Sequence, residues 1–408
     1  MSTDRGDGKA VARRRAVESA AQYVLFEQAG FLAPSAKATN LVGLYDCAPK
    51  YVFSSPESKA KGAGTMTRLP LVRREFFFDG QPFVSVVTPA RMTKSRKQPD
   101  GSTTIEEYEC YPGEREQIVE EVIRSLASKR ARLHTAENQR PAMTFTLYEV
   151  MKELAAVKHT LSIEEVKTAL YILRRTSLRI ESPIDGEDGV ESNIFTALGM
   201  RKRRRGAANA TGAGDADTYV QFSPWVEQAI RRVESQSIRY DWLMALSPIA
   251  RWLYKRIAFA AQRHGEVTPT TITMTANEII RDSGATPWSR TANMYRWIRS
   301  TVIGGLIEVG ALSGVEEEVI KDGLRYVDVN YRMMLSDTFL AHIAEARRKA
   351  QADTELMARM LEDKPLPDRL LPVTDDGAAA IRRRRQQMHT AVASQPTSEP
   401  IDTLPLLK

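Results

Sequence analysis

Apolar side chains recur at helical spacing in two segments of the chain, and both segments show the same order of predicted elements. Residues 142–180 and 270–310 each begin with a β-prone run. A short helix, a turn, a longer basic amphipathic helix and a glycine-punctuated hairpin pattern come next. Side chains three or four positions apart share one face of a helix, whereas alternating side chains share one face of a strand. Corresponding points lie roughly 127 residues apart, as expected for an internal repeat of one domain-sized unit.

The repeated order of elements also predicts a fold. A strand, two helices joined by a tight turn and a hairpin form the layout of a winged helix. We therefore predict an α+β, mainly α protein with two tandem winged-helix domains, at residues 111–238 and 239–345. Residues 1–110 would form an N-terminal extension, and residues 346–408 a charged helix and a disordered tail.

In the second segment, the longer helix separates an apolar face from a polar one. Four side chains are predicted to face the core: Tyr295, Ile298, Val302 and Leu306. The opposite face and its flank carry the groups predicted to contact DNA: Arg290, Asn293, Arg296, Trp297 and Ser300. The hairpin after this helix is predicted to turn at residues 321–323 and to hold Lys321 and Arg325 near the DNA backbone.

The first segment is interpreted in the same way. Its inward stripe is predicted to be Ile163, Val166, Leu170 and Leu173. Its outward groups are predicted to be Lys167, Thr168, Tyr171, Arg174 and Arg175. LRIES and NIFTALGMRK are predicted to pair as the strands of its hairpin. The basic run at residues 201–205 would then place Arg201, Lys202 and Arg203 along DNA phosphates.

Both outward faces mix guanidinium, small polar and aromatic groups, which suits a helix that enters the major groove of DNA. Arg and Asn side chains make bidentate hydrogen bonds to guanine and adenine edges. A surface helix of any basic protein can carry similar groups. For one helix alone, an ordinary solvent-exposed face that binds no DNA therefore remains an alternative. An exposed aromatic residue at the same place in both segments favours DNA binding.

Charge supports a polyanionic partner without specifying it. The net charge is +7 and the isoelectric point is near 9.3. Basic clusters lie at residues 13–15, 201–205 and 382–385, all in predicted loops or tails. Such clusters add salt-dependent affinity for phosphates. A solvated run that keeps a loop soluble is the alternative, above all for the last cluster.

The N-terminal extension is predicted to contain a helix and one β-hairpin. LVRREFFFDGQPFVSVVTPA joins two β-branched and aromatic runs through Asp79-Gly80, which predicts a hairpin over residues 66–92. KSRKQPDGSTT is predicted to be a loop. The next segment places Ile118, Val122 and Leu126 at helical spacing and opens the first repeated unit.

Catalytic and membrane functions find no support in the sequence. The five histidines form no HExxH or HxH pattern, and the glycine stretches lack the GK[ST] ending of a phosphate-binding loop. Cys47 and Cys110 have neither metal-ligand spacing nor a disulfide context. No apolar run approaches the roughly 18 residues of a membrane span, and no secretory signal is recognisable. We therefore expect a cytoplasmic protein that is not an enzyme and has no metal, cofactor or membrane contact.

Four phrases in order resemble the replication initiators of bacterial plasmids that are built from tandem winged helices: YPGEREQIVEEVI, EEVKTALYILRRTSLRI, YVQFSPWVEQAI and YDWLMALSPIARWLYKRIAF. The resemblance covers roughly residues 110–345. It implies binding to repeated double-stranded DNA sites (iterons) at a plasmid origin, opening of an AT-rich segment and recruitment of the host initiator and replicative helicase. It also implies plasmid copy control, and a homodimer that represses its own gene and is in equilibrium with a monomer.

Carried over to this chain, the resemblance assigns base reading to the second helix through Arg290, Asn293, Arg296 and Trp297. The first helix would contribute Lys167, Tyr171, Arg174 and Arg175. The N-terminal 110 residues depart from the shorter members of the family, so their role stays open. A winged-helix transcriptional regulator or a plasmid partition adaptor would expose the same arginines, and both remain alternatives. A DNA-cutting relaxase would need a nucleophilic tyrosine near metal-binding histidines, which the sequence does not offer.

Overall fold

The structure is a computed structural model of the chain. The residues that it describes are 38–53, 68–98, 101–129, 133–135, 141–182, 189–200, 217–232, 236–263, 268–323 and 325–362. The predicted N-terminal helix, the run at residues 201–205 and the C-terminal tail lie outside these ranges. The chain up to Ala358 clusters as one compact unit. The domain boundaries predicted inside that unit remain predictions.

The first half of the described chain contains ten strands and several helices before residue 201. In chain order these are β1 Ala38–Leu41, α1 Gly43–Cys47, β2 Val72–Phe78, β3 Gln81–Thr88, β4 Ala90–Lys97, β5 Thr103–Cys110, α2 Glu114–Lys129, β6 Leu133–Thr135, β7 Pro141–Thr146, α3 Leu147–Ala156, α4 Ile163–Arg175, β8 Ser177–Glu181, β9 Val190–Asn193 and β10 Phe195–Met200.

The second half continues with long helices and one long hairpin. Its elements are β11 Asp217–Phe222, α5 Pro224–Arg232, β12 Gln236–Arg239, α6 Tyr240–Ala245, α7 Pro248–Arg263, β13 Thr271–Thr275, α8 Ala276–Ser283, α9 Thr291–Trp297, a π-helical segment Ile298–Ile303, α10 Gly304–Glu308, β14 Leu312–Asp322, β15 Arg325–Leu335 and α11 Asp337–Glu362. Helices and strands each include a large share of the described residues. The described residues are therefore a mixed α/β structure, and the expected mainly α class is not confirmed.

The same order of elements occurs twice. A long helix (α2, α7), a strand (β7, β13), a short helix (α3, α8) and a second helix (α4, α9) succeed one another in each half. Both short helices begin with a capping box, at Thr146 with Glu149 and at Thr275 with Glu278. In such a box, the Thr hydroxyl accepts from the third backbone N–H and the Glu carboxylate accepts from the cap N–H. These local contacts fix where each short helix starts.

Among the residues that the structure describes, all strand pairs are antiparallel and form five small sheets. The orders are β2-β3-β8-β9, β10-β11-β7-β6, β13-β15-β14, β1-β12 and β4-β5. The pairing predicted within the first unit is wrong: β8 pairs with β9, whereas β10 pairs with β11. The strand predicted as one run divides at Ile194, because Ile194 and Phe195 are both buried and turn the chain into the core.

Two hairpins precede α2. The predicted turn at Asp79-Gly80 is confirmed: both residues have positive φ, 57° and 73°, as a two-residue hairpin turn requires. The loop predicted for KSRKQPDGSTT is wrong. Strand β4 runs through Lys97 and β5 begins at Thr103, so both ends of this segment are strand. Opposite charges across this hairpin, such as Arg91 with Glu107, stabilise strands that carry few apolar residues.

Two apolar clusters make up most of the core. The first contains the predicted residues of α2, namely Ile118, Val122 and Leu126, and the second contains the buried face of α7. Six charged side chains are buried where α1, α2 and α7 meet: Asp46, Lys50, Glu120, Glu121, Arg124 and Lys255. We call these six the buried charge cluster. Its three acids and three bases balance, and they join elements from both repeated halves.

Candidate nucleic-acid interface

The second helix of the second repeat presents one anchored face and one open face. The predicted inward residues are confirmed: Ile298, Val302 and Leu306 are fully buried, and Tyr295 is 9% exposed. The Tyr295 hydroxyl donates to the backbone oxygen of Val327 at 2.8 Å, which ties α9 to β15. The opposite face is therefore held in a fixed orientation by core packing.

The predicted outward residues of this helix lie at the surface, with one exception. Arg290, Asn293, Arg296 and Ser300 are exposed. Ser300 donates back to the Arg296 carbonyl at 2.8 Å, so its hydroxyl is partly satisfied within the helix. Within the described ranges, neither the Arg290 nor the Arg296 guanidinium has a hydrogen-bond or ion-pair partner. Two unpaired guanidinium groups and an amide are thus available on one side of α9.

Trp297 differs from the prediction because it is only partly exposed. It packs against the second core cluster, and its ring stacks on Trp288 with centroids 5.5 Å apart and planes at 25°. Trp288 lies in the turn before α9 and is 44% exposed. Helical periodicity did not identify Trp288, because the residue precedes the helix and has no helical phase. The signal available in the sequence was a tryptophan two positions before an arginine.

A π-helical segment interrupts the helix that the sequence predicts as continuous. Residues Ile298–Ile303 form this segment, and both Val302 and Ile303 are buried within it. A π turn inserts an extra residue per turn and shifts the helical phase of the residues after it. The change begins just after Trp297.

The β14–β15 hairpin comes after this helix, as predicted. Its register pairs Lys321 with Tyr326 and Asp322 with Arg325, and Gly323 has φ +59° at the turn. The Lys321 ammonium lies 5.2 Å from the Tyr326 ring centroid. Lys321 is exposed at the end of the hairpin, where a phosphate contact is geometrically open. Nearer the helix, β14 is acidic, and Glu317 forms an ion pair with Arg299.

The corresponding helix of the first repeat, α4, buries a slightly different stripe from the predicted one. Val166, Leu170 and Leu173 are fully buried as predicted. Ile163 was predicted to be buried but is 38% exposed. It is the first residue after the capping Ser162, so it lies in the turn that extends beyond the core. The inward stripe begins one turn later.

The outward groups of α4 already have contacts within the chain. Lys167 binds Glu164 at 2.6 Å, and the Thr168 hydroxyl donates to the Glu164 carbonyl. Tyr171 is 39% exposed and lies under the Arg175 guanidinium, 5.5 Å from the ring centroid. Arg174 is half-buried.

The β4–β5 hairpin covers the C-terminal end of α4. Arg175 donates to the Arg91 carbonyl of β4 at 2.8 Å. Ile172 packs with Ala90 and Met92 of the same hairpin. The two repeats therefore expose unequal faces: that of α9 is open, and that of α4 is partly occupied. The sequence did not predict this difference, because the hairpin was interpreted as a loop.

Other kinds of site are not visible in the part of the chain that the structure describes. No group of three or more His, Cys, Asp or Glu side chains in these ranges is placed to hold a metal ion. No helix in the same ranges is long and apolar enough to cross a membrane. Burial raises the pKa of the Cys47 thiol to about 11, because Cys47 is enclosed by its neighbours. A thiol in that state is not nucleophilic near neutral pH.

Comparison with known proteins gives matches at the level of structure. No protein-family model matches the chain, and no curated protein matches it. A structure of domains 2 and 3 of RctB matches with a TM-score of 0.41 and 9% identity, covering 72% of this chain and 96% of that one. A second structure of RctB domains 2–3 gives 0.36 and 10%, with coverages of 74% and 99%.

The Pi initiator protein in complex with iteron DNA also matches, with a TM-score of 0.37 and 13% identity. That match covers 55% of this chain and 91% of that chain. Such TM-scores are low, so the geometry of the site has to carry any functional conclusion.

Proposed function

We propose that this protein is a plasmid replication initiator that binds repeated double-stranded DNA sites at its origin, sequence-specifically, through two winged helices. The observation that carries the proposal is the open face of α9. On that face Arg290, Asn293 and Arg296 project from a helix whose opposite side is locked into the core. The sequence resemblance to tandem winged-helix initiators names the process that such a face would serve.

The geometry of the second repeat suits a reader of the major groove. A recognition helix contacts base edges mainly through its N-terminal residues. Arg290 is the N-cap residue of α9, and Asn293 and Arg296 come after it at one-turn spacing. Guanidinium and amide groups pair with guanine and adenine edges, respectively. The β14–β15 hairpin would act as the wing, with Lys321 and Arg325 near the phosphates.

The first repeat would contribute a second, weaker contact. Tethering two readers raises the effective concentration of the second and lengthens the recognised site. The outward face of α4 is partly covered by β4–β5, so we assign most base reading to α9. Lys167, Thr168, Tyr171, Arg174 and Arg175 would add contacts at the uncovered end or along the backbone. Arg201, Lys202 and Arg203 lie outside the described residues and keep their proposed role at phosphates.

The wider biology of the proposal derives from the sequence resemblance alone. In it, a homodimer in equilibrium with a monomer represses the gene. The DNA-bound protein also opens an AT-rich segment and recruits the host initiator and replicative helicase in the bacterial cytoplasm. The protein would act as a binding protein rather than an enzyme. A constant stoichiometry of bound chains at the operator and at the origin repeats would contradict the monomer–dimer part.

Binding to DNA that flanks the protein's own gene tests the core of the proposal. Purified protein is titrated with duplex fragments at about 150 mM salt with excess competitor, because phosphate affinity alone depends steeply on salt. Arg296→Ala is expected to weaken binding to a repeat-bearing fragment by about 5- to 150-fold, the range for one bidentate base contact. Arg73→Ala is the matched control, since Arg73 is 59% exposed on β2.

Equal and weak binding of all fragments, with no difference between the two variants, would overturn DNA recognition by α9. A second assay separates the initiator from a regulator or partition adaptor. The gene and its flanking DNA are placed on a circle that cannot replicate by itself, and the circle is introduced into cells. Only an initiator yields a maintained plasmid, and Arg296→Ala should abolish that maintenance.

A further inference from the structure

The stacked pair Trp288–Trp297 lies beside the open face of α9. The two rings lie 5.5 Å apart and nearly parallel, at 25°. Trp297 is anchored, because it packs against the second core cluster. Trp288 lies on top of it and remains 44% exposed. The outer ring is therefore presented to solvent by a rigid support.

The position of the pair places it among the proposed base-reading groups. Trp288 precedes Arg290 by two residues, and Trp297 is the residue directly after Arg296. Trp297 is also four residues after Asn293, which puts the two on the same side of α9. An apolar ring surface is thus next to the guanidinium and amide groups. Core packing alone would not require an exposed indole beside Arg290 and Arg296.

The chemistry of the major groove offers one apolar partner for such a ring. Each base pair presents hydrogen-bond donors and acceptors there, and thymine alone adds a methyl group, at C5. Arginine and asparagine address guanine and adenine but leave thymine unread. An aromatic surface beside them offers an apolar partner for the thymine methyl group. Burying one methyl group against an apolar surface improves binding by about fourfold.

We propose that the Trp288–Trp297 pair reads thymine by contact between the exposed Trp288 ring and a thymine C5 methyl group. This inference rests on the proposed function, because it requires α9 to enter the major groove. It makes Trp288 a specificity-determining residue, and Trp297 the residue that positions it.

Replacing single thymines by deoxyuracil in the bound fragment tests the contact, because deoxyuracil lacks only the C5 methyl group and keeps its base pairing. For the wild-type protein, one or two such replacements are expected to weaken binding by about fourfold each. Trp288→Ala should bind the thymine and uracil forms equally. Trp288→Phe should keep part of the discrimination. Far-ultraviolet circular dichroism verifies that each variant is folded.

The outcomes separate the two proposals. If the wild type binds no fragment sequence-specifically, the proposed function fails, and this inference fails with it. If binding is specific but no uracil replacement weakens it, only the thymine contact is overturned. The contact is also overturned if Trp288→Ala keeps the fourfold discrimination of the wild type. Loss of discrimination in Trp288→Ala, with specific binding to the remaining bases retained, supports it.

Discussion

Replacing Asp46 by asparagine perturbs the buried charge cluster with the smallest change of shape. The Asp46 carboxylate accepts two hydrogen bonds from Arg124, at 2.5 and 2.8 Å, and one from Lys255 at 2.9 Å. It also accepts from the backbone N–H of Val42 at 2.6 Å. Burial opposes ionisation, but Arg124 and then Lys255 outweigh it and hold the pKa of Asp46 well below its usual range. Asp46 is therefore the anion that neutralises two buried cations.

The expected cost derives from those contacts. Asparagine keeps the size of the side chain but leaves Arg124 without its ion-pair partner, whereas Lys255 keeps its ion pair with Glu121. Breaking a buried ion pair by removing one partner costs about 3–5 kcal/mol, because the remaining charge is desolvated and uncompensated. A folded domain is stable by only about 5–15 kcal/mol. Asp46→Asn should thus remove at least about a fifth of the free energy of unfolding.

Equilibrium unfolding in urea at neutral pH measures this loss. The matched control is Glu107→Gln, which breaks an ion pair with Arg91 in which both side chains are about half exposed. An exposed pair contributes about 0–1 kcal/mol, so the control should unfold close to the wild type. The double variant Asp46→Asn with Arg124→Met removes both members of one ion pair and keeps the pairs Lys50–Glu120 and Lys255–Glu121, so it should recover part of the loss. An Asp46→Asn variant as stable as the control would refute the reasoning.

Two further predictions concern stability. Burial opposes the ionisation of Asp46 and Glu120, but Arg124 and Lys50, respectively, outweigh it and lower both pKa values in the folded protein. The unfolded chain therefore binds more protons than the folded protein. The contribution of the two carboxylates to the free energy of unfolding is complete above about pH 5 and is lost as the pH falls through their lowered pKa values. Unfolding curves recorded at a series of acid pH values measure this loss. An unfolding midpoint that does not change between about pH 5 and pH 3 would contradict this. Gly284→Ala should lower the free energy of unfolding more than Gly80→Ala does. Both glycines have positive φ, but a Cβ added at Gly284 would lie 2.7 Å from a Pro49 side-chain atom, whereas a Cβ added at Gly80 has no atom within 4 Å. Equal urea midpoints for these two variants would show that the contact relaxes at no cost.

The sequence predicted the features that depend on local periodicity. The buried face of α9 and the turn at Asp79-Gly80 are confirmed. The buried face of α4 is confirmed except at Ile163, and the last hairpin turns at Gly323, whereas Lys321 and Asp322 still belong to β14. Each depends on side chains within one turn or one hairpin, so the pattern contains the information needed. The exposure of Ile163 was mispredicted because periodicity gives a helix face but not how far the core extends along it.

Features that depend on distant partners could not be predicted in this way. Strand β10 pairs with β11, which comes later in the chain, and not with β8, and strand propensity does not encode that choice of partner. Glu120, Glu121 and Arg124 look like the solvent face of α2, since charged residues in a helix are usually exposed. They are buried because their partners come from far along the chain, as with Lys255 and Glu121, which are 134 positions apart.

The buried charge cluster also explains how the N-terminal segment is built into the rest of the fold. Strand β1 pairs with β12, and β3 pairs with β8, so residues before the first repeat extend the sheets of later ones. Asp46 then binds Arg124 of α2 and Lys255 of α7, which are corresponding helices of the two repeats. Ion pairs between these helices require defined distances, because a buried charge tolerates little displacement from its partner. The segment that carries Asp46 therefore fixes the position of the two repeats relative to each other. Under the proposed function, it also fixes the spacing between the two DNA sites that one chain would bind.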